Sequence, residues 1–437
     1  MKLTFSQLTL AATLTLATGA AAAPYCDDLN VSDQLPKKYQ KRGPFYSDTA
    51  TGWIIGQDQF KSEFTVTSEV SALWQDIAGE FKKHGADLVV LAAPPRPLFA
   101  PADAITAMNL PADAQLSDLQ NGFSTYIAGL NAAGIVAPDL SRLAQSDTAE
   151  GYYFARDTHW TPMGAAISVS WLNEVMTQTP AAEVLATIST TQEYAEKGSL
   201  STVVDATCGT RLSVENVPAP QYAQQGSAES LLGDTPAGKS IALVGTSFSD
   251  RYQRDAYQVA EAVSFVMGAP VDNFSVTGGG LVGAMEAFIH SDALQENDYQ
   301  TIIWEAPYSA PLTQVDGLRQ VLGALQAKGQ NEHLAEVGTK ISDTWVSVDQ
   351  DFSAAQVTGL EIETDRADTG QLFVELIDNT GKKTRTKLVK TDRVSADLRS
   401  TRWAMSLKNM PTGDVSRIKL RLKGSVTQEP VTIRIVK

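Results

Sequence analysis

Two patterns of hydrophobic and polar positions divide this chain at about Val346. Before that residue, near-continuous apolar runs alternate with segments whose apolar residues recur every three to four positions. Such runs are typical of strands buried on both faces of a parallel sheet, and the longer period is typical of helices. The alternation predicts an α/β domain with an open, mostly parallel sheet. The predicted strands are 52–56, 87–93, 134–138, 240–246 and 301–305, and the predicted helices are 68–84, 116–130, 163–176, 281–289 and one around Leu140.

Beyond Val346 the apolar residues alternate with polar ones in short runs, without helical segments between them. Strands at this spacing predict a β-sandwich. We place the linker within 326–346 and expect a signal peptide at 1–23, the α/β domain at 24–345 and the sandwich at 346–437. The predicted strands of the sandwich are 360–364, 371–377, 384–389, 418–422 and 431–436.

The first 23 residues predict export. Lys2 is followed by an apolar Leu/Ala/Thr stretch and a run of alanines that ends at Ala23, which offers small-residue cleavage sites. A short membrane anchor is the alternative, but the apolar part is short and alanine-rich for a span. We therefore expect a soluble protein of the periplasm, exported through a cleaved signal peptide.

Two cysteines, Cys26 and Cys208, fit that compartment, because an oxidising environment favours one disulfide between them. Two unpaired thiols are the alternative. The four histidines show no ligand spacing with the cysteines, so we expect no metal site.

Charge is unevenly distributed along the 437 residues, whose formal net charge is −15. From Val346 onward 16 Lys and Arg stand against 12 Asp and Glu, about +4, and the rest has 19 against 38, about −19. The C-terminal region could therefore attract a polyanion, unless the charges are simply scattered over surfaces. No nucleic-acid-binding motif or aromatic-rich basic groove is present, so we expect no nucleic acid partner.

The candidate chemistry lies in two short segments. Asp157-Thr-His159-Trp160 stands just before a predicted helix start, with Thr161 as cap and Pro162 in the first turn. Ser247 closes the apolar run 240–246, at a strand-to-loop turn of the kind that exposes nucleophiles in α/β enzymes. Carboxylate, imidazole and hydroxyl are the groups of nucleophilic acyl transfer. A turn serine and a core histidine satisfied by Asp157 are the alternatives.

These segments resemble the alginate O-acetyltransferases of the AlgX/AlgJ-type family, which are exported proteins with an SGNH-hydrolase-like domain. The resemblance rests on Tyr152-Tyr-Phe-Ala-Arg-Asp-Thr-His-Trp-Thr-Pro-x-Gly-Ala165 and on Gly245-Thr-Ser-Phe-Ser249. It implies Ser247 as nucleophile, His159 as general base and Asp157 as its orienting carboxylate, without a cofactor. The family's order of motifs, with the histidine block first, is read as a circular permutation of ordinary SGNH hydrolases.

Further residues are candidates for binding. Arg96 and Tyr308 follow predicted strand ends and are expected to line the cleft, where Arg96 could pair with a uronate carboxylate; a structural role is the alternative for both. The oxyanion hole could include Asn273 or the backbone at Gly279, unless the glycine triplet 278–280 is only a flexible loop. The resemblance implies a carbohydrate-binding module in the sandwich, with Thr401, Arg402, Trp403 and Lys408 on its polymer-binding face, although Trp403 could be a core residue.

The sequence thus predicts a periplasmic polysaccharide O-acetyltransferase. It would transfer acetyl through Ser247 to hydroxyls of mannuronate in alginate, an acidic polysaccharide, during biosynthesis and export. The resemblance implies an acetyl-donor protein and an envelope export complex as partners. A carbohydrate acetylesterase and a non-catalytic polysaccharide-binding subunit of an export complex are the alternatives.

Overall fold

The computed structural model describes residues 23–61, 64–222, 240–250, 259–328, 332–367, 370–410, 413–425 and 428–437. All but the last residue of the predicted signal peptide lie outside this part of the chain. None of the helices within these ranges is long and apolar enough to cross a membrane.

The first third of the chain contributes one strand of the central sheet and two of its covering helices. The predicted strand 52–56 belongs to a separate antiparallel pair of strands and not to the central sheet. The predicted strand 134–138 forms only a single bridge, between Val136 and Val89. The predicted helix around Leu140 is a 3₁₀-helix, Leu140–Gln145. The elements are β1 (Phe45–Ser47), β2 (Ile54–Gly56), α1 (Ser68–Lys83), β3 (Asp87–Ala93), α2 (Ala102–Ala107) and α3 (Leu116–Ala132).

The remainder of the domain continues the strand–helix alternation with one interruption. Two antiparallel strands, β4 and β5, with a short helix between them, form within the stretch that the sequence predicts to be loop-rich. The elements are α4 (Pro162–Thr177), α5 (Ala181–Leu185), β4 (Ser189–Glu196), α6 (Ser201–Cys208), β5 (Glu215–Gln221), β6 (Ser240–Val244), α7 (Val259–Met267), β7 (Val271–Asn273), α8 (Gly280–His290), α9 (Ala293–Glu296), β8 (Tyr299–Pro307) and α10 (Val315–Lys328).

The central sheet has the order β3-β8-β6-β7 and is parallel throughout. Side chains alternate along each strand, so Val90 packs into the core on one side of the sheet and Val89 into the core on the other. Both faces are therefore buried, and the predicted α/β class is confirmed. Because the strands are parallel, the segments that follow β6 and β8 leave the sheet at the same edge.

The C-terminal region is a sandwich of two antiparallel four-stranded sheets, with the orders β14-β11-β16-β9 and β10-β15-β12-β13. The five predicted strands are present, and three more complete the sheets. The strands are β9 (His333–Ile341), β10 (Val346–Phe352), β11 (Gly359–Thr364), β12 (Gly370–Asp378), β13 (Lys383–Lys390), β14 (Arg402–Ser406), β15 (Val415–Lys423) and β16 (Glu429–Val436).

The predicted domain boundary at residue 346 is wrong. Strand β9 pairs with β16 from Ile341 to His333, so the sandwich begins at His333. Most side chains of this edge strand are exposed or half-buried, which is why its sequence lacks a strong apolar signal. The preceding helix α10 belongs to the α/β domain and occupies part of the range assigned to the linker.

Helix α10 joins the two domains. A Cβ at Gly323 would lie 2.4 Å from the Met405 backbone, so the helix lies directly against β14. Gln320 accepts from the N–H of Val389 and donates to its carbonyl, which satisfies the edge of β13. Buried Arg319 donates to the carbonyls of Ser406 and Lys408 and pairs with Glu69 of α1 at 2.7 Å. The sandwich is thus tied to the α/β domain by a buried cation and by backbone hydrogen bonds.

The predicted disulfide is confirmed. Cys26 and Cys208 are bonded, with their Cα atoms 5.8 Å apart. The bond fastens the N-terminal segment to the end of α6, beside a small core that includes Leu29 and Val204.

Candidate active site

The structure brings Asp157, His159 and Ser247 together. His159 Nε2 lies 2.8 Å from Ser247 Oγ, and His159 Nδ1 lies 2.5 Å from Asp157 Oδ1. The Asp157 side chain is fully buried, whereas that of His159 is 12% exposed. A hydroxyl, an imidazole and a carboxylate thus form one continuous hydrogen-bonded chain that leads from the interior to the surface.

Backbone donors fix the Asp157 carboxylate. Oδ1 accepts from the His159 N–H at 2.9 Å, and Oδ2 accepts from the Ser199 N–H at 2.5 Å. Both oxygens are therefore held by groups that cannot rotate away. This arrangement requires the imidazole to present Nδ1 to the carboxylate, which leaves Nε2 directed at Ser247.

The Asp-x-His segment is shaped by the helix that follows it. Thr161 caps α4, because its Oγ1 accepts from the Gly164 N–H at 3.0 Å and donates to the Gly151 carbonyl at 2.6 Å. A Cβ at Gly164 would lie 2.1 Å from the Tyr152 carbonyl oxygen, so only glycine permits this close approach. The segment from Tyr152 to Gly164 consequently folds back on itself, with its two ends in contact and His159 between them.

The turn that carries Ser247 rests on Glu305 of β8. The Thr246 N–H donates to Glu305 Oε2 at 2.7 Å, and a Cβ at Gly245 would lie 2.4 Å from the same oxygen. Burial raises the pKa of Glu305 to about 7, against the opposing effect of the hydrogen bonds from Thr246. The role of Glu305 was not predicted, and the available signal was a glutamate that directly follows the apolar run Ile-Ile-Trp304 of this strand.

Aromatic residues complete the surroundings of His159. Trp160 Nε1 donates to the Phe248 carbonyl at 3.0 Å, which links the histidine turn to the serine turn. The Phe248 ring lies 4.7 Å from the His159 ring, centre to centre. These side chains, with Phe154 and Tyr194, line a recess of about 20 Å³ beside the imidazole, which is room for a group the size of a methyl.

Arg96 and Tyr308 do not line a cleft, and that prediction is wrong. Arg96 is fully buried and donates to the carbonyls of Phe154, Ala155 and Ile54 at 2.6 to 2.8 Å. Burial lowers the pKa of its guanidinium to about 10, so the charge remains at neutral pH and satisfies these carbonyls. Tyr308 is 3% exposed. Arg96 instead holds the backbone that leads into Asp157, which is the structural alternative.

The two oxyanion candidates differ. Asn273 lies at the serine turn, where its Nδ2 donates to the Ser249 carbonyl at 3.1 Å. Gly279 is buried, and its N–H donates to the Val276 carbonyl at 2.9 Å, so that N–H is occupied within its own turn. Within the part of the chain that the structure describes, the Ser247 N–H has no acceptor. Asn273 stays a candidate, and Gly279 does not.

The polymer-binding face predicted from Thr401 to Lys408 is not assembled. Trp403 is fully buried in the sandwich core, because β14 turns this side chain inward. Lys408 pairs with Asp76 of α1 at the domain boundary. Arg402 is exposed but faces Glu361 and Glu363, and Thr401 accepts from Thr364 through its carbonyl. Burial of Trp403 removes the ring on which a sugar would stack, so the core alternative is correct.

Among the described residues no group of three or more His, Cys, Asp or Glu side chains could hold a metal ion.

The parallel sheet and the hydrogen-bonded serine, histidine and aspartate at its edge define an SGNH hydrolase-like domain. Residues 51–308 match the family described as "SGNH hydrolase-like domain, acetyltransferase AlgX", and the chain belongs to this family.

Curated relatives are named for alginate. The chain is 28% identical over 315 residues to the alginate biosynthesis protein AlgX of Pseudomonas putida, covering 69% of this chain and 64% of that protein. It is 27% identical over 284 residues to the probable alginate O-acetylase AlgJ of Pseudomonas syringae, covering 60% and 70%. The chain therefore spans slightly less than two thirds of the length of that AlgX relative.

A solved structure of AlgX from Pseudomonas aeruginosa superposes with a TM-score of 0.71. It covers 94% of this chain and 99% of that one at 20% identity. The two-domain fold, including the sandwich, is therefore shared.

Proposed function

We propose that this protein is a periplasmic polysaccharide O-acetyltransferase that acts through an acetyl-serine intermediate on mannuronate residues of alginate. The observation that carries the proposal is the hydrogen-bonded chain from Asp157 through His159 to Ser247. Membership of the AlgX family and the names of the curated relatives support the acetyl group and the polymer. The disulfide and the predicted signal peptide support the compartment.

The chemistry follows from the three side chains. Ser247 Oγ attacks the carbonyl carbon of an acetyl donor while His159 Nε2 takes its proton, and the imidazolium returns that proton to the departing group. A sugar hydroxyl then attacks the acetyl-serine, His159 takes the hydroxyl proton, and Ser247 Oγ leaves with it. Asp157 keeps the ring oriented and stabilises its cationic form in both steps. The Ser247 N–H is the first oxyanion donor.

The recess of about 20 Å³ beside His159, lined largely by aromatic side chains, could hold a small apolar group next to the general base. A protein of the export machinery would supply the acetyl group, as the resemblance to the family implies. The same triad hydrolyses the intermediate if water replaces the sugar, which makes an acetylesterase a distinct outcome of the test.

The test is mass spectrometry of the protein and of mannuronate oligomers after incubation with a chromogenic acetyl donor. Wild type should carry one acetyl on Ser247 and acetylate the oligomers, and Ser247→Ala should do neither. Ser275→Ala, which removes a hydroxyl from the neighbouring loop, is the matched control and should behave as wild type. Acetate release that oligomers do not divert would identify an esterase. An absence of turnover in wild type would favour the alternative, a non-catalytic polysaccharide-binding subunit.

A further inference from the structure

The backbone that leads into Asp157 is held by two side chains of opposite charge. Glu215, the first residue of β5, accepts from the Ala155 N–H at 2.8 Å through Oε1 and from the Arg156 N–H at 3.1 Å through Oε2. Arg96 donates to the Ala155 carbonyl at 2.6 Å. An anion thus binds the donor side of this short stretch, and a cation binds its acceptor side.

The two charges stabilise one another inside the domain. Arg96 is fully buried, and the side chain of Glu215 is 16% exposed. Burial lowers the pKa of Arg96 to about 10, and the carboxylates of Glu215 and Asp157 are among the groups that oppose this fall. Glu215 Oε2 also lies 3.7 Å from Arg156 Nε. A carboxylate with two backbone donors and a neighbouring guanidinium is held in one orientation.

Glu215 belongs to a part of the chain that contacts the same backbone at further points. We call β4, α6 and β5 together the insert. Just before α6, the Ser199 N–H donates to Asp157 Oδ2 at 2.5 Å. The Leu200 N–H donates to the Arg156 carbonyl at 3.0 Å. With the two bonds of Glu215, the insert therefore makes hydrogen bonds to three successive residues, the last of which is Asp157.

A displacement of this backbone would reach the nucleophile through two hydrogen bonds. Asp157 Oδ1 lies 2.5 Å from His159 Nδ1, and His159 Nε2 lies 2.8 Å from Ser247 Oγ. Acyl transfer needs both contacts at once, and a misplacement of about 1 Å costs up to about 100-fold in rate. Glu215 binds backbone N–H groups, so it would act through position and not through proton transfer.

We infer that Glu215 is a positioning residue for the proposed acyl transfer: with Arg96 it fixes the backbone that places the Asp157 carboxylate. The inference rests on the proposed function for the reaction, but not for the geometry of the three side chains. The competing explanation is that Glu215 only stabilises the fold and leaves the orientation of Asp157 untouched. Glu215→Gln separates the two, because an amide offers one acceptor oxygen to two N–H donors.

The experiment compares Glu215→Gln with wild type in the full chain. At saturating chromogenic donor, the rate of Ser247 acetylation should fall by about 10- to 100-fold. The donor concentration that gives half the maximal rate should stay within about twofold, because the donor does not contact Glu215. Glu193→Gln makes the same change at an exposed position of β4, and as the matched control it should behave as wild type.

A second measurement needs no turnover. The downfield proton NMR signal of His159 Nδ1–H, assigned by its loss in His159→Ala, reports on the hydrogen bond to Asp157. It should shift in Glu215→Gln and stay in place in Glu193→Gln. Glu215→Asp keeps the charge and both oxygens, so it should lose less rate than Glu215→Gln. The aspartate variant also carries the test if the amide variant does not fold.

A lower melting temperature with an unchanged rate and an unchanged Nδ1–H signal would overturn the inference, because Glu215 would then only stabilise the fold. A higher donor requirement at an unchanged maximal rate would also overturn it, because the residue would then act on donor binding. Failure of the proposed function is distinguishable, since wild type would then stay unacetylated. The NMR signal decides in that case: a shift in Glu215→Gln supports the inference, and an unshifted signal overturns it.

Discussion

The α/β domain and the sandwich both bury carboxylates, but they surround them differently. Asp157 accepts hydrogen bonds from two backbone N–H groups and one imidazole, all of them fixed. Glu375 lies beneath three flexible cationic side chains whose exposure ranges from 25% to 66%. Backbone donors hold one side chain in one geometry, whereas flexible cations neutralise a buried carboxylate without fixing a single arrangement.

The difference separates two kinds of role. The proposed acyl transfer at Ser247 requires a single orientation of His159, and rigid hydrogen bonds hold the Asp157 carboxylate that orients this residue. Small displacements of Lys419 or Arg385 change the field at Glu375 only slightly. Substitutions in the two regions should therefore fail differently: in rate for the first and in stability for the second.

Asp157→Asn should have the largest effect. An amide at this position presents a donor or an unsuitable acceptor to Nδ1 and favours the wrong imidazole tautomer, while the volume is unchanged. We expect the rate of Ser247 acetylation to fall about 10⁴-fold with an unchanged melting temperature. Stopped-flow measurement of acetyl-enzyme formation checks this. A fall of less than tenfold would show that Asp157 does not orient the base.

Trp403→Ala tests whether the sandwich tryptophan is core or binding surface. Its side chain is fully buried, so truncation should lower the free energy of unfolding by about 3 to 5 kcal/mol. Trp345→Ala is the matched control and should change stability by less than about 1 kcal/mol, because its ring is half-exposed. Denaturant unfolding of both variants measures the two free-energy changes. Unchanged stability in Trp403→Ala would show that this side chain is not part of the core.

The two buried glutamates should give opposite pH dependences. Burial raises the pKa of Glu305 to about 7 from the ordinary 4.5, so the folded chain retains a proton that the unfolded chain releases. Its contribution is therefore fully present below about pH 4.5 and lost as pH rises to about 7, a loss of about 3 kcal/mol. Glu305→Gln should gain stability over wild type across that window and match it at lower pH.

Glu375 should behave in the reverse sense. Burial alone would raise the pKa of this carboxyl, but Arg385 and the neighbouring lysines hold that pKa below its usual range. The stabilisation is then present above the ordinary pKa and lost as pH falls. Glu375→Gln should be less stable than wild type at neutral pH, and the gap should close in acid. Melting temperatures measured from pH 4 to 8 test both variants, and slopes of the same sign would contradict the contrast.

The sequence predicted most of the α/β domain because its signals are local. Apolar runs at 87–93 and 301–305 mark buried strands, and the cap at Thr161 marks the start of α4. The binding residues were harder, since Arg96 and Trp403 are residue types that also satisfy interiors. Only packing distinguishes a tryptophan that meets a sugar from one that meets the opposite sheet. Edge strand β9 was missed because few of its side chains are buried.

Arg402→Gln should have the smallest effect and sharpens the comparison within the sandwich itself. Arg402 is 46% exposed and lies 3.7 to 3.8 Å from Glu361 and Glu363, which Arg434 also pairs with. Exposed pairs of this kind contribute less than about 1 kcal/mol, so unfolding should shift by no more than that. Denaturant unfolding of Arg402→Gln beside wild type measures the shift. A loss of more than about 1 kcal/mol would show that Arg402 contributes more than an exposed ion pair, and that Arg434 alone does not neutralise Glu361 and Glu363.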